Sequence, residues 1–514
     1  SIRRVRLSDA AVAAVCGMLV SALGFLVMNV IALSDSSVPR SVMLGILCGA
    51  MPGLSAVMAV SILLPFTFSL KGTGIMMLLG TFCGAIYGGS ITAILINTPG
   101  TANSAATCLD GYPMAHRLGQ PGRALSISTM ASTFGGMFSA CALLFTAPLL
   151  SKVALNFGVV EMFALGVFGL SIVTAVSSHS IIKGLLGAVL GLLLGTVGMD
   201  ATSATFRFTF GTTYLIGGVQ FVALLIGLFA LSQCFMTAES SLKEMHRAKQ
   251  QKLDQILPSK KDIKKTAPTI LVSSVIGTII PGTGGDIASW ISYNEAKRWS
   301  KHPEEFGNGA PEGIAAPEAS NNAVSGGAMI PLLTLGIPGD SVTAIMLGAL
   351  MMQGITPGPL LFSTQTVKVY TIIISLFVAN IMMCLLGYGA IRGFAKISMI
   401  PMKWLNPIVF MFCAVGTFAI NNNIYDVFLM IGAGIVGYVL IKLDFCMPPI
   451  ILGLILSGTV EENLRRTLVI SDGNLSIFLE HPIAMVLLVI AVISLLSPII
   501  MKAVKKRSAQ KQAQ

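Results

Sequence analysis

The first feature of this sequence is its shortage of charge. Only 11% of its 514 residues are Asp, Glu, Lys or Arg, whereas a soluble globular domain carries about 25%. Hydrophobic residues make up 54% of the chain, and the mean hydropathy is +0.83. This composition excludes an ordinary soluble protein. It predicts an all-α polytopic membrane protein, because a helix satisfies its own backbone hydrogen bonds in lipid.

Several catalytic and metal-binding signatures are also missing. The sequence has no G-x-x-x-x-G-K-[ST] loop, which excludes ATP hydrolysis by a P-loop, and no H-E-x-x-H zinc motif. Its five His are scattered, and its nine Cys include no C-x-x-C pair. We interpret the cysteines as packing residues. We predict no cofactor.

The net charge of +11 is explained without a nucleic-acid partner. Lys and Arg concentrate at the two termini and in the segment 237–266, TAESSLKEMHRAKQQKLDQILPSKKDIKKT. Positive charge flanking transmembrane helices marks the cytoplasmic side. We therefore predict a multi-pass membrane protein, in contact with lipid, with both termini cytoplasmic.

The hydrophobic runs divide the chain into five ranges. Residues 10–33 carry no charge and are long enough to span a bilayer. The predicted organisation is a basic segment with the first transmembrane helix at 1–40, membrane repeat 1 at 41–236, a cytoplasmic basic linker at 237–266, membrane repeat 2 at 267–470, and the last transmembrane helix with a basic tail at 471–514. Spans are predicted near 41–69, 74–97, 124–150, 157–176, 181–199, 214–236, 267–293, 369–391, 405–420, 425–441, 446–460 and 482–501.

One motif occurs twice. The stretch 88–113, GGSITAILINTPGTANSAATCLDGYP, nearly recurs at 326–359 as GGAMIPLLTLGIPGDSVTAIMLGALMMQGITPGP. In each copy an apolar run stops at a Pro-Gly pair, which costs a helix roughly 3 kcal/mol for Pro and about 1 for Gly. Broken helices or re-entrant hairpins at matching places in two halves mark a transporter's binding site.

The charge pattern relates the two halves. We take the N-terminus, the linker and the C-terminus all to be cytoplasmic. The helix at 10–33 then crosses the membrane, so repeat 1 begins on the outer face. Repeat 2 begins on the cytoplasmic face, at the linker. The repeats are then inverted, and the site lies near the membrane midplane where they meet. Glycines at four-residue spacing, 80, 84 and 88 and again 187, 191 and 195, predict close approach of neighbouring helices.

The candidate site residues follow from the breaks. Helix N-termini after a break suit an anion, and free carbonyls before it suit a cation. The predicted substrate-binding residues are Asn97, Thr98, Pro99, Gly100, Thr101, Asn103, Ser104, Gly336, Pro338, Gly339, Asp340, Ser341 and Thr343. Second-choice residues for the substrate or a cation are Pro52, Gly53, Ser55, Pro281, Gly282, Thr283, Gly284, Gly285, Asp286, Asn321 and Asn322.

Asp286 and Asp340 are the acidic residues nearest the breaks. A carboxylate at bilayer depth costs roughly 3 kcal/mol, so each is interpreted either as part of a Na⁺ site or as an N-cap. Glu318, like Asn321 and Asn322, is interpreted either as a polar residue of the substrate cavity or as a cap of the helix that follows, with capping preferred for Glu318. Glu161 is interpreted as a structural residue near a helix start.

An intramembrane aspartyl protease is a remote alternative. The sequences Gly284-Gly285-Asp286 and Tyr425-Asp426 superficially resemble the paired motifs of the presenilin-like family. Position 283 is Thr where that family has Gly, and the Tyr-Asp pair comes second instead of first.

Longer blocks resemble one family. PGTGGDIASWISYNEAKRWSK at 281–301, PEGIAAPEASNNAVSGGAMIPLLTLGIPGDS at 311–341, DGYPMAHRLGQPGRAL at 110–125 and EENLRRTL at 461–468 are similar to the large membrane subunit of the tripartite tricarboxylate transporter family. The resemblance extends from about residue 15 to 500. It implies a secondary transporter of the bacterial inner membrane that works with a small membrane subunit and a periplasmic binding protein. It also implies drive by a Na⁺ or H⁺ gradient and an elevator-like mechanism.

These arguments combine into one predicted function. The chain is expected to import a di- or tricarboxylate, citrate-like, that a periplasmic binding protein delivers, and not to be an enzyme. A carboxylate:cation symporter acting without a binding protein is the alternative. The substrate, the choice of Na⁺ or H⁺, and the formation of a homo-oligomer are left open.

Overall fold

The structure is a computed structural model. It describes residues 37–51, 54–67, 70, 73–177, 180–200, 203–241, 257–279, 284–397 and 402–496. The helix predicted at 10–33, the breaks at Pro52-Gly53 and Pro281-Gly282, and Thr283 lie outside these residues.

The first half is built from helices and one small hairpin. Its helices are α1 (Ser37–Gly49), α2 (Ala56–Thr67), α3 (Gly74–Ile96), α4 (Cys108–His116), α5 (Pro121–Ala154), α6 (Val159–Ser177), α7 (Ile181–Gly195), α8 (Phe221–Leu225) and α9 (Ser232–Ser241). Ala102–Ser104 and Thr213–Leu215 are 3₁₀ turns, and Ile226–Leu231 is a π-helical segment that joins α8 to α9. Strands β1 (Gly198–Met199) and β2 (Phe206–Arg207) pair antiparallel.

The second half is helical. Its helices are α10 (Lys260–Ile279), α11 (Gly284–Trp299), α12 (Pro311–Leu335), α13 (Ser341–Met352), α14 (Leu361–Thr364), α15 (Thr366–Ile397), α16 (Met402–Asn421), α17 (Ile424–Lys442), α18 (Met447–Ile470), α19 (Ile477–Glu480) and α20 (Pro482–Leu496), with a 3₁₀ turn at Pro303–Glu305.

The prediction of an all-α polytopic membrane protein is confirmed. Within the described part of the chain, five helical stretches are long and apolar enough to cross a bilayer: Gly74–Ile96, Pro121–Ala154, Phe221–Glu239, Thr366–Gly389 and Ile424–Lys442. Large apolar side chains stand exposed on them, as at Phe145 of α5 and Phe428 of α17. An apolar surface of this kind is stable only against lipid or protein.

The two halves carry their elements in the same order. α1 and α10 each precede a segment with a Pro-Gly pair, α3 and α12 each end at a second Pro-Gly pair, and a long helix follows later, α5 in one half and α15 in the other. α9 extends to Ser241 and α10 begins at Lys260. Both helices therefore reach into the range predicted as the linker, and residues 242–256 lie outside the described part.

Glycines bring the helices into backbone contact. A Cβ built on Gly45 or Gly49 of α1 would overlap a carbonyl of α3, and one built on Gly84 or Gly88 of α3 would overlap a carbonyl of α1. Gly191 of α7 lies equally close to α18. The close approach predicted from the glycine spacing is thus present. In lipid the hydrophobic effect does not drive helices together, so van der Waals packing at these close contacts stabilises the helix pairs instead.

Helix α12 is the most enclosed element. It packs against α5 through Gly135, against α10 through Gly277, and along its length almost every side chain is buried. The preferred interpretation of Glu318 as a helix cap is wrong, because Glu318 lies well inside α12, which begins at Pro311. The polar side chains in the first part of α12 are accommodated because polar groups of neighbouring helices face them.

The start of α12 is anchored by Asp110 of α4. Asp110 is fully buried, and its Oδ1 accepts hydrogen bonds from the backbone N–H groups of Gly307 (2.9 Å), Gly309 (2.8 Å) and Ala310 (2.8 Å). Its Oδ2 accepts one from the Tyr293 hydroxyl at 2.9 Å. A carboxylate so bound stabilises both the turn and the positive end of α12.

Candidate substrate-binding site

Both motif copies form the predicted bend. We call residues 97–104 tip 1 and residues 336–343 tip 2. α3 ends at Asn97 with φ 54°, and α12 ends at Gly336 with φ 72°, so each helix stops on a left-handed residue. The Pro-Gly pair then turns the chain into a capped helical segment. The two motif copies therefore share a left-handed residue at the helix end, but tip 1 leads into a 3₁₀ turn and tip 2 directly into α13.

Tip 1 is held by its own backbone. The Gly100 N–H donates to the Gly89 carbonyl at 3.2 Å, and the Ser104 hydroxyl donates to the same carbonyl at 3.1 Å. The Ser104 N–H donates to the Thr101 carbonyl at 3.0 Å. The Gly100 N–H is therefore used within the protein, because it donates to the backbone of α3. α4 also begins only at Cys108, after a 3₁₀ turn.

Tip 2 is closed by a capping box. Asp340 is the N-cap of α13, as predicted for its structural role. Its Oδ1 accepts hydrogen bonds from the Thr343 N–H (2.7 Å) and hydroxyl (2.6 Å), while its own N–H donates to Thr343 Oγ1 at 2.8 Å. Reciprocal bonds of this kind fix the first turn of a helix.

An amide pair joins tip 1 to the second half. Asn103 Nδ2 donates to Asn321 Oδ1 of α12 at 2.8 Å across 218 residues of sequence. Gly285, at the start of α11, lies against both side chains, since a Cβ there would meet each of them. Predicted first-choice and second-choice residues thus converge at one place.

Unpartnered polar atoms occur on both of the segments that this amide pair joins. Thr101 Oγ1, Asn321 Nδ2 and Asn322 Oδ1 are buried and have no hydrogen-bond partner, and their residues are at most 4% exposed. A buried polar atom without a partner costs roughly 1–3 kcal/mol. Native structures retain such groups mainly where a ligand or water completes them. Two of the three atoms, a hydroxyl and an amide N–H, donate hydrogen bonds, which suits a carboxylate.

Asp286 and Asp340 add negative charge nearby. Asp286 lies in the first turn of α11, next to Gly285, and its charge is close enough to Asp340 for the two to interact. Like charges near one another in a low-dielectric medium repel strongly. The pair is therefore suited to a cation.

The remaining predicted residues divide by exposure. Asn97, Thr98 and Pro99 are exposed at the end of tip 1. Pro338 and Gly339 are buried, and Ser341 is half-buried. Ser55, a second-choice residue, accepts a hydrogen bond from the Met58 N–H at 3.1 Å and begins α2. Gly284 is the first residue of α11.

The buried environment of Glu318 was not predicted, because capping was the preferred interpretation of this residue. Glu318 is fully buried and surrounded by hydroxyl groups from three other segments. The available signal was its place three residues before an Asn-Asn pair in PEASNNAVSGG, which continues without a break into an apolar run. Pro317 concealed this signal, because a proline suggests a helix boundary.

The residues of the protease-like motifs lie in different surroundings. Asp426 accepts hydrogen bonds from the Tyr214 hydroxyl (2.6 Å) and from Asn421 Nδ2 (2.8 Å). In the part of the chain that is described, no hydrogen bond or ion pair joins it to Asp286. Glu161 lies in the first turn of α6, as predicted, and pairs with His481 at 2.7 Å.

A separate cavity of about 670 Å³ lies between α7, α8, α13, α16 and α18. Its lining is mainly apolar, with Gln220, Asn421 and Ser457 as polar side chains. No predicted site residue lines it. The convergence of tip 1, α11 and α12 therefore remains the better candidate for binding a polar substrate.

Comparison with known proteins identifies the family. The sequence profile of the Tripartite tricarboxylate transporter TctA family matches residues 37–452. The chain belongs to this family. As a member of the Tripartite tricarboxylate transporter TctA family it is the multi-pass membrane subunit of a tripartite transporter, and the family works with a small membrane subunit and a periplasmic binding protein. The resemblance stated from the sequence blocks is confirmed.

Two relatives come from Agrobacterium vitis. An uncharacterized 52.8 kDa protein of the TAR-I ttuC' 3' region is 41% identical over 453 residues, which cover 87% of this chain and 90% of that protein. An uncharacterized protein of the TAR-II ttuC' 3' region is 43% identical over 215 residues, covering 42% of this chain and 88% of that protein. No solved structure matches.

Proposed function

We propose that the protein imports a di- or tricarboxylate that a periplasmic binding protein delivers, driven by a Na⁺ or H⁺ gradient across the bacterial inner membrane. The observation that supports this best is the set of buried, unpartnered donors at tip 1. Thr101 and Asn321 offer an O–H and an N–H that a substrate carboxylate would accept. Asn103 holds the two segments together.

Cation coupling is supported by the charges at the site. A carboxylate substrate beside Asp286 and Asp340 would experience repulsion from both. A cation or a proton bound with it removes that cost, since an unpaired charge at bilayer depth is expensive. The electrostatics of the site therefore support coupling to a cation gradient as part of this proposal.

The transport step is proposed to move the site as a unit. We propose that the halves are inverted repeats, that both termini are cytoplasmic, and that the tips with α3, α4, α11 and α12 form the substrate-carrying part of an elevator. The Asn103–Asn321 hydrogen bond and the Asp110 anchor tie these elements together, which supports their movement as one body.

Reconstituted transport tests the proposal. The chain is placed in proteoliposomes with its small membrane subunit, and uptake of radiolabelled citrate, succinate and malate is measured under an imposed Na⁺ or H⁺ gradient. Each measurement is made with and without the binding protein. We expect gradient-driven uptake that requires the binding protein.

The alternatives are outcomes of the same experiment. Saturable uptake without the binding protein would support a stand-alone symporter. Absence of flux for every carboxylate and gradient, with the partners shown to be assembled, would contradict the proposal.

Thr101→Val is expected to separate binding from folding. Valine has the shape of threonine but lacks the hydroxyl, and this hydroxyl has no partner in the protein. Thermal stability in detergent should therefore be unchanged or slightly higher. The apparent substrate affinity should fall by about tenfold, because one hydrogen bond to a charged group is worth roughly 1.5–3 kcal/mol.

Thr133→Val is the matched control. Its hydroxyl on α5 donates to the Thr129 carbonyl at 2.7 Å and lies outside the proposed site. We expect its transport kinetics to match those of the unmodified protein. Equal affinity in Thr101→Val and Thr133→Val would remove Thr101 from the site.

A further inference from the structure

Glu318 of α12 is a buried carboxyl group enclosed by hydroxyls. Its Oε1 accepts hydrogen bonds from Ser90 (2.6 Å) and Thr107 (2.5 Å). Its Oε2 accepts hydrogen bonds from Ser90 (2.7 Å), Ser132 (2.9 Å) and Ser128 (3.2 Å). Its exposed fraction is 0%, and four hydroxyls from α3, α5 and the segment before α4 complete the shell.

The shell contains no cation. None of the ion pairs formed by the described residues involves Glu318, and its side-chain partners are hydroxyls alone. A buried carboxylate without a cation is costly unless it binds one or takes up a proton.

The chemistry of the shell favours a proton over a metal cation. A hydroxyl both donates and accepts, so the same four groups satisfy an ionised carboxylate or, after one of them turns, a protonated one. Sodium needs oxygen ligands around a central space. Here every hydroxyl oxygen lies within 3.2 Å of a carboxylate oxygen, and the shell is closed on the carboxyl group itself.

We propose that Glu318 is the proton-binding site of the transporter. This assignment rests on the proposed function and identifies H⁺ as a coupling ion. A hydronium ion from the side to which the site opens transfers its proton to Oε1 or Oε2 of Glu318. An O–H bond forms, and the hydronium becomes water. When the site opens to the other side, that bond breaks, and the proton passes to water there.

Glu318 is linked directly to tip 1. Ser90 follows Gly89, whose carbonyl accepts the hydrogen bonds from Gly100 and Ser104 that hold the tip. Thr107 follows the 3₁₀ turn of the same tip. Protonation must turn one hydroxyl of this shell, and two of the four belong to segments that position the tip. Proton binding therefore acts on the substrate site over a short path.

The other titratable groups around Glu318 are a phenol and a thiol. α3 contributes Tyr87, whose hydroxyl shares a hydrogen bond of 2.7 Å with Thr129 of α5. α4 contributes Cys108. Both are neutral at physiological pH in their ordinary state.

The neighbouring elements add no free charge. α5 faces Glu318 with Ser128 and Ser132, and α10 and α11 pack near it through Gly277 and Ser289. Asp110 of α4 is bound by three N–H groups and by Tyr293. Asp286 of α11 follows Gly285 in sequence, and no hydrogen bond among the described residues joins it to Glu318. Glu318 is thus the group in the shell that gains and loses charge.

Proton-coupled uptake tests the assignment. The full chain with its small subunit and binding protein is reconstituted around a trapped pH indicator, and radiolabelled citrate, succinate and malate are offered under an inward pH gradient. A gradient of one pH unit raises accumulation about tenfold for each proton carried. Glu318→Gln keeps the shape of the side chain but cannot release a proton. We expect it to lose this tenfold gain and the proton signal, while substrate exchange at equal pH continues.

Glu312→Gln is the control. Glu312 lies on the same helix, paired with Lys265 at 3.3 Å, and we expect normal pH-driven accumulation. Proton-coupled accumulation retained in Glu318→Gln would overturn the assignment. Wild-type uptake driven by Na⁺ with no proton movement would overturn it as well, while leaving the proposed function intact. No uptake in the wild type would refute the proposed function, and the assignment with it.

Ser132→Ala keeps the assignment testable if Glu318→Gln does not fold. The change removes one donor to the ionised carboxylate and leaves Glu318 in place. Because the ionised form loses a hydrogen bond, the pH midpoint of uptake should move higher by about one unit. Thr133→Ala, on the same helix but outside the shell, should leave the midpoint unchanged. An unshifted midpoint in Ser132→Ala would contradict the assignment.

Discussion

Gly100→Ala is expected to abolish transport and to reduce the amount of folded protein. A Cβ at this position would lie 2.7 Å from both Gly89 Cα and Thr92 Oγ1, and still closer to the Gly49 carbonyl. Two of these contacts are with backbone that has no room to move. Overpacking usually costs roughly 1–3 kcal/mol, and the rigid surroundings place this case at the upper end. Fluorescence-detected size exclusion and citrate uptake measure the two effects.

Gly389→Ala is the matched control. Gly389 lies on an exposed face of α15, and a Cβ there would meet nothing within 4 Å. Alanine in a helix is favoured over glycine by roughly 1 kcal/mol, so this variant should fold and transport normally. Normal uptake in Gly100→Ala would show that tip 1 is packed differently from the structure described.

Asp110→Ala is expected to be the most destabilising change to a side chain outside the site. It leaves the N–H groups of Gly307, Gly309 and Ala310 without their acceptor. Unpaired buried N–H groups cost roughly 1–3 kcal/mol each, so the loss should reach about 3 kcal/mol or more. The thermal unfolding midpoint in detergent measures it.

Asp110→Asn distinguishes the acceptor from the charge. Asparagine retains one carbonyl oxygen for the three N–H groups and should recover part of the stability. Glu295→Ala serves as a surface control, since Glu295 makes only an exposed pair with Arg298 at 2.6 Å, and such pairs are worth about 0–1 kcal/mol. Equal stability of Asp110→Ala and Glu295→Ala would contradict the role of Asp110 as an anchor.

The helices and their breaks were predictable because their causes are local. Runs of apolar residues long enough to span a membrane predicted α3, α5, α15 and α17 close to their observed limits. Of the predicted breaks, those at Pro99-Gly100 and Pro338-Gly339 lie among the described residues, and both follow a helix end. The glycine spacing on α3 predicted contact with a neighbouring helix, because a helix face without side chains lets another backbone approach closely.

The polar interior was harder to predict because its causes are distant in sequence. The hydroxyls that enclose Glu318 lie 186–228 residues away along the chain. Nothing in PEASNNAVSGG reveals that serines of α3 and α5 will face it. The sequence shows a polar stretch after a proline, and a loop or cap is the ordinary interpretation of that pattern.

The chemistry of tip 1 was predicted only in part. The residue types were right for a polar site, but the use of the Gly100 N–H within the protein depends on how closely the tip folds back on α3. That distance is set by Gly89 and Gly100 together. The pairing of Asn103 with Asn321 likewise depends on the packing of α12, which no local pattern encodes.

The bends of the two tips differ in the residue that makes them. Tip 1 turns at an exposed Asn97 with φ 54°, and tip 2 at Gly336 with φ 72°, whose missing Cβ would lie 3.1 Å from the Pro357 carbonyl. Asparagine and glycine both adopt this conformation readily, whereas other side chains are strained in it. Position 97 therefore accepts Asn, Gly or Asp at little cost, while position 336 is confined to glycine. The bend of tip 2 is therefore more restricted in sequence than the bend of tip 1.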